Sequence, residues 1–310
     1  MFDLTGKRIW VAGHRGMVGS AIVRRLASEG CEVLTASRTE LDLRVGPAVE
    51  AWMIDRRPDV VFLAAATVGG ILANDTRPAD FLLDNLLIET SIFAGARAAG
   101  VKKLLFLGSS CIYPKHADQP IREDALLTGP LEPTNQWYAI AKIAGIMLGQ
   151  AMRRQHGFDV ISAMPTNLYG PGDNYDLASS HVMPALIRKV DAARREGGPV
   201  TVWGTGTPRR EFLYVDDCAD ACVHLMKTYS GEEHINIGTG EDISIVELTR
   251  LVMDVIGHDG PIELDTTKPD GTPRKLLDVS RLTALGWRAT TQLREGIAWS
   301  HRAFLDGVTR

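Results

Sequence analysis

In the first half of this chain the hydrophobic positions fall into short unbroken runs. Longer stretches between them repeat an apolar residue every three or four positions. The runs "RIWVAG", "EVLTAS", "VVFLAAA" and "KLLFLGSS" have strand length, and consecutive apolar residues mean that both faces of the sheet are covered. Between them, residues 17–29 carry the helical period and stop at Gly30, and residues 49–56 make a shorter helix. Pro78 opens a long helix over 78–99, closed by Gly100, and a second long helix is expected over 135–156, followed by the strand "DVISAMPTNLYG". Such alternation predicts an α/β fold, a Rossmann-type doubly wound parallel sheet with helices on both faces.

After Gly170 the pattern loosens. The stretches "GPGDNYDLASSH", "WGTGTPRRE" and "TKPDGTPRK" are rich in Gly, Pro, Ser and Thr, with helical segments around 183–196, 217–228 and 244–255. Long loops on a rigid frame are where ligands are met, so a smaller mixed α/β substrate lobe is expected. The expected division is 1–165 for the nucleotide-binding domain, with a returning segment near 208–240, and 166–310 for what is mainly the substrate lobe.

Composition narrows the partners. The 310 residues, 45% of them hydrophobic, sustain one large core or a core with a lobe. A net charge of -4 gives no electrostatic case for nucleic acid or an anionic membrane. No apolar run is long enough to span a bilayer, and "MFDLTGKRIW" has none of the layout of a signal peptide. Cys31, Cys111, Cys218 and Cys222 show neither a disulfide framework nor C-x-x-C metal spacing. The expectation is a cytoplasmic protein with reduced thiols and no metal.

Three groups of residues carry chemistry. In "VAGHRGMVGSAI", Gly13, Gly16 and Gly19 sit at a strand-to-helix turn, close to the dinucleotide fingerprint, where backbone N–H groups approach a pyrophosphate. Arg38 follows the second strand and Arg15 lies in the glycine loop, which favours the 2′-phosphate of NADP(H) over the free ribose of NAD; Glu40 falls two positions past Arg38. In "YAIAK", Tyr138 and Lys142 share one helix face, so the ammonium is expected to draw the phenol down towards neutrality, with Ser109 sharing a substrate carbonyl. On residue type alone, Cys111 reads as a core thiol and His181 as a helix-start residue.

The glycine loop with Ser109, Tyr138 and Lys142 resembles the extended short-chain dehydrogenase/reductase family. "WGTGTPRREFLYVDD" and "LLDVSRLTALGW" are similar to its C-terminal segments, and "GSSCIYPK", "MPTNLYGPGDN" and "KPDGTPRKLLDV" to members that modify sugars on nucleoside diphosphates. The resemblance implies NADP(H) as cofactor and a GDP-sugar as substrate. It implies epimerisation at C3 and C5 of a 4-keto sugar, then reduction of the ketone at C4. The resemblance implies that Cys111 is the base and His181 the acid in that chemistry. Ser109 and Cys111, two apart in an extended segment, would point the same way, and nearby charge would lower the thiol. By the same resemblance Lys142 is also expected to hold the nicotinamide ribose. Cofactor contact is expected to extend to His14, Met17, Val18, Leu107, Gly108, Ser110, Pro165, Thr166, Asn167, Leu168 and His181. Substrate contact is expected of Lys189, Trp203, Arg210, Asp270 and Lys275. Trp137 and Lys189 depart from the family pattern, which has proline and arginine there. A 4-epimerase would have no use for Cys111 and His181, and a non-catalytic binder would have no need of Tyr138 and Lys142. The family's homodimer uses two long helices per subunit, here 78–99 and 135–156, in a four-helix interface.

Overall fold

The computed structural model describes residues 1–268 and 270–309; Pro269, inside the loop "TKPDGTPRK", and Arg310 lie outside the described residues. In chain order the first elements are β1 (Arg8–Ala12), α1 (Met17–Leu26), β2 (Glu32–Leu34), α2 (Gly46–Arg56), β3 (Val60–Leu63), α3 (Ile71–Thr76), α4 (Pro78–Ala98) and β4 (Lys103–Leu107). Next come α5 (Gln136–His156), β5 (Asp159–Pro165), β6 (Asn167–Tyr169), α6 (Val182–Glu196), β7 (Val200–Trp203), β8 (Arg209–Arg210), β9 (Phe212–Tyr214), α7 (Val215–Thr228) and β10 (Ile235–Ile237). The chain closes with β11 (Ile243–Ser244), α8 (Ile245–Ile256), β12 (Ile262–Asp265), β13 (Arg274–Lys275), α9 (Ser280–Ala284) and α10 (Leu293–Leu305).

Six strands form one parallel sheet in the order β10-β5-β4-β3-β1-β2. From β1 the chain goes to β2 on one side and returns to β3 on the other, so the strand order reverses there. Open α/β sheets bind ligands in the crevice beyond such a reversal. Side-chain alternation divides the strands between two cores. Ile9, Val11, Phe62 and Leu105 pack with Ile22 of α1 and Cys218, Cys222 and Val223 of α7. Trp10, Val61, Leu104 and Phe106 pack with Met53 of α2, Ile92 and Phe93 of α4 and Ile146 of α5. A third core joins Leu186 and Ile187 of α6, Val202 of β7, Leu248 and Val252 of α8 and Ile297 of α10.

The sequence reading of "DVISAMPTNLYG" as one strand is corrected. β5 ends at Pro165, and β6 leaves the sheet to pair with β9. The ladder with β10 runs as far as Thr166, whose N–H donates to Ile237 O at 2.9 Å; past it Asn167 Nδ2 donates to Glu211 O at 2.8 Å and the chain pairs with β9. β2 is only three residues long, as suits a sheet edge, and α7 starts at Val215.

Candidate active site

The glycine loop is shaped by close approach. Gly13 has φ +92°, and a Cβ there would stand 2.7 Å from the Ala65 backbone; a Cβ on Gly19 would stand 2.1 Å from Gly13 O. Gly16 is the N-cap of α1 in extended conformation, with no side-chain cap and no acid in the first turn. The first N–H groups of α1, beside Met17 and Val18, are therefore open to an anion. His14 Nδ1 is buried there without a hydrogen-bond partner. These residues fit a pyrophosphate: a cradle that a side chain would fill, beside an orphaned polar atom.

A cavity of about 390 Å³ beyond the ends of β2 and β3 is lined by Arg38, Arg44, Arg77, Ala66, Thr67 and Asp84, among others. Arg44 is held by Asp42 at 2.7 Å and Asp84 at 3.1 Å, and Arg77 by Asp80 at 2.9 Å. Arg38 and Arg15 have no ion pair among the described residues and stay available for a phosphate. Glu40 turns its carboxylate back onto the Ser37 N–H at 2.7 Å and the Ser37 hydroxyl, so it is not free for a ribose hydroxyl.

Beyond β4, Gly108 leads to Ser109, and Ser110–Ile112 make one turn of 3-10 helix. This corrects the extended alternation expected for Ser109 and Cys111. Ser109 alone is extended; its hydroxyl accepts the Cys111 N–H at 3.4 Å, and the turn brings the two side chains together. Burial pushes the Cys111 thiol up, against the pull of Lys275, the Ser109 hydroxyl and Lys142. The expected lowering of the thiol does not occur in the protein alone.

Tyr138 and Lys142 lie one turn apart on α5, as their spacing requires. The phenol nonetheless sits far above its ordinary range, through burial first and then the charges of Cys111 and Glu89. The expectation that Lys142 would lower it fails for a structural reason: the ammonium is paired with Glu89 of α4 at 3.0 Å. Tyr138 is thus a protonated phenol.

The opposite wall comes from the C-terminal half. In the parallel ladder of β8 and β13, Arg209 pairs with Arg274 and Arg210 with Lys275. Arg209 and Arg274 both bind Asp242, and alternation turns Arg210 and Lys275 the other way. Lys275 lines a cavity of about 40 Å³ with Cys111 and Asn135, whose Oδ1 is buried without a partner. His181 is the N-cap of α6, reached by solvent yet surrounded by protein mass, as befits a cleft wall. Burial and the Lys275 charge push its imidazole down, so it is neutral in the protein alone. Lys275 thus acts on Cys111, on His181 and, with Arg210, on the space between them.

Lys189 Nζ donates to Thr201 O at 3.0 Å and lies over the exposed Trp203 ring at 5.4 Å; Lys268, which the sequence reading passed over, lies over the same ring at 5.6 Å. Asp270 accepts from the Thr205 N–H at 2.9 Å and its hydroxyl at 2.8 Å, so its carboxylate shapes the 204–207 turn. Leu107, Gly108 and Ser110 lie at the end of β4, and Pro165, Thr166, Asn167 and Leu168 where β5 gives way to β6. Glu211, also missed, is fully buried and accepts the N–H groups of Thr239, Gly240 and Leu277, joining the loops that end β10 and precede α9. Its signal was an acid between two strand-like pairs. Glu89 had a clearer one, a carboxylate four residues after Asn85 on the buried stripe of α4.

Comparison with known proteins agrees with this arrangement. The model of the NAD dependent epimerase/dehydratase family matches residues 9–238. A GDP-L-fucose synthase of Sinorhizobium fredii is 61% identical over 99% of this chain and 98% of its own. The crystal structure of a GDP-L-fucose synthetase from Naegleria fowleri bound to NADP superposes with a TM-score of 0.90 at 30% identity, covering 99% of this chain and 94% of that one. A GDP-6-OMe-4-keto-L-xylo-heptose reductase from C. jejuni gives 0.92 at 32%, over 97% and 98%.

Proposed function

The chain belongs to the NAD dependent epimerase/dehydratase family, and from that membership we propose that it converts GDP-4-keto-6-deoxy-D-mannose to GDP-L-fucose. In this reading it epimerises C3 and C5 and then reduces the C4 ketone with NADPH. The observation that carries it is the meeting of Ser109, Cys111 and Tyr138 beyond β4 with Lys275 acting on both Cys111 and His181. A simple reductase needs no thiol and imidazole beside its tyrosine.

NADPH, when bound, supplies the hydride for C4. Gly13, His14, Gly16 and Gly19 hold its pyrophosphate, Arg15 and Arg38 its 2′-phosphate, and Lys142 its nicotinamide ribose. The Ser109 hydroxyl and the Tyr138 phenol donate to the C4 oxygen, first steadying the enolate formed during epimerisation. Cys111 removes the proton from carbon, helped by the Lys275 charge as the carbonyl acidifies C3 and C5. Arg210, Lys189 and Lys275 hold the diphosphate, whose negative charge favours the imidazolium of His181 and makes it a proton donor. Tyr138 gives its proton to the C4 oxygen during reduction. Trp203 offers its exposed ring for stacking on the nucleotide.

The test is to supply GDP-4-keto-6-deoxy-D-mannose with NADPH and identify the product by NMR. GDP-L-fucose is expected. A reduced sugar with uninverted C3 and C5, or no turnover, contradicts the reading.

The proposed assembly is a homodimer through α4 and α5, which pack together. They leave Leu83, Leu87, Trp137, Ile140 and Met147 exposed, a partnerless apolar face. Sedimentation equilibrium is expected to give twice the chain mass, and Leu83→Glu with Ile140→Glu a monomer; an unaltered monomer contradicts the assignment. No helix among the described residues is long and apolar enough to cross a membrane. Four unpaired cysteines suit the cytoplasm, which cell fractionation checks.

A further inference from the structure

Lys142 does not point into open space. Its Nζ enters the contact between α5 and α4 and stands 3.0 Å from Glu89 Oε1, each side chain 1% exposed. The ammonium lies 4.8 Å from the Phe106 ring centroid and 5.8 Å from that of Tyr138. Neither charge is easily kept in such a place alone, since burial strips a lone ammonium of its proton and returns one to a lone carboxylate. The fold makes room for the pair. At Gly145, three residues after Lys142, a Cβ would stand 2.4 Å from Phe106 Cζ and 2.9 Å from Glu89 Oε2. A side chain there would push the carboxylate away from the lysine.

Resting on the reading of Tyr138 and Lys142 given above, we propose that Glu89 is a positioning residue: its carboxylate holds the Lys142 Nζ beside the Tyr138 ring. The contact is one of charge rather than an aligned hydrogen bond, since both Glu89 oxygens lack a hydrogen-bond partner, and the three N–H donors of the ammonium remain for the ribose of a bound cofactor. The other titratable groups facing the pair are Tyr138, one turn earlier on α5, and Cys111, on the turn after β4. Lys142 is the only charge acting on Glu89 among the described residues, and burial pushes that carboxylate upward against it. Glu89 touches neither substrate nor cofactor in this scheme; it acts through Lys142.

The test measures NADP⁺ affinity by calorimetry, without sugar, on the whole protein. Glu89→Gln keeps the size of the side chain and removes its charge, and affinity should fall about tenfold. Glu89→Asp is smaller but keeps the carboxylate, and should recover part of that loss. A residue that only filled space would give the opposite order, with Gln tolerated and Asp the weaker. That order, or an affinity of Glu89→Gln equal to that of the unaltered protein, overturns the proposal. If Glu89→Gln does not fold, Glu89→Asp is compared with Glu89→Asn of the same size, and equal affinity of the two overturns it. Because no sugar is present, failure of the proposed sugar chemistry leaves this result intact.

Discussion

Arg38 is the side chain proposed to select the cofactor. Three arginines line the cavity beyond β2 and β3, but Arg44 and Arg77 are neutralised by Asp42, Asp84 and Asp80. Glu40, the acid that a free ribose would need, is engaged by Ser37. Arg38→Ala should therefore lower kcat/KM for NADPH about tenfold, through KM, with NADH little changed. Steady-state kinetics with both cofactors checks this, and equal use of the two by the unaltered protein contradicts it. Residue types and spacings made Tyr138, Lys142 and the three glycines legible in the sequence. The charge state of Tyr138 was not, and its direction came out inverted. A spacing of four shows that the lysine is near, but the partner that neutralises it sits on another helix.

The apolar runs of β1, β3 and β4 were legible because a strand buried on both faces has no polar alternation to confuse it. The long helix α4 was legible from Pro78 and Gly100 at its ends, and α5 lies within one residue of its expected bounds. What escaped was set by partners distant in sequence. "DVISAMPTNLYG" reads as one strand, but past Thr166 it leaves β10 and pairs with β9, beside Glu211. The one-turn helix that joins Ser109 to Cys111 has no period to detect. The two-residue strands β8 and β13 are too short to announce themselves, yet they sort four basic residues. Arg209 and Arg274 go to Asp242, while Arg210 and Lys275 are left for the cleft. Motif likeness leads to the expectation of Arg210 and Lys275 at the substrate, and the ladder leaves both free for that proposed role.

Taken whole, the molecule brings together an N-terminal sheet that carries Ser109, Cys111, Tyr138 and Lys142 and a C-terminal half that carries His181, Arg210 and Lys275. In the proposed chemistry the first group grips one carbonyl oxygen and the second supplies charge. One grip then serves two reactions that ought to come apart, since enolate formation consumes no hydride and hydride addition needs no ionised carbon. The decisive experiment places GDP-4-keto-6-deoxy-D-mannose in D₂O without NADPH and follows deuterium at C3 and C5 by NMR. The unaltered protein should exchange both positions. Tyr138→Phe should still exchange, slower by about 10- to 100-fold for want of one oxyanion donor, and then reduce almost nothing when NADPH is added. Cys111→Ala should show no exchange above the protein-free background. Exchange by Cys111→Ala at the rate of the unaltered protein would contradict the account, because the thiol beyond β4 would then not be the base.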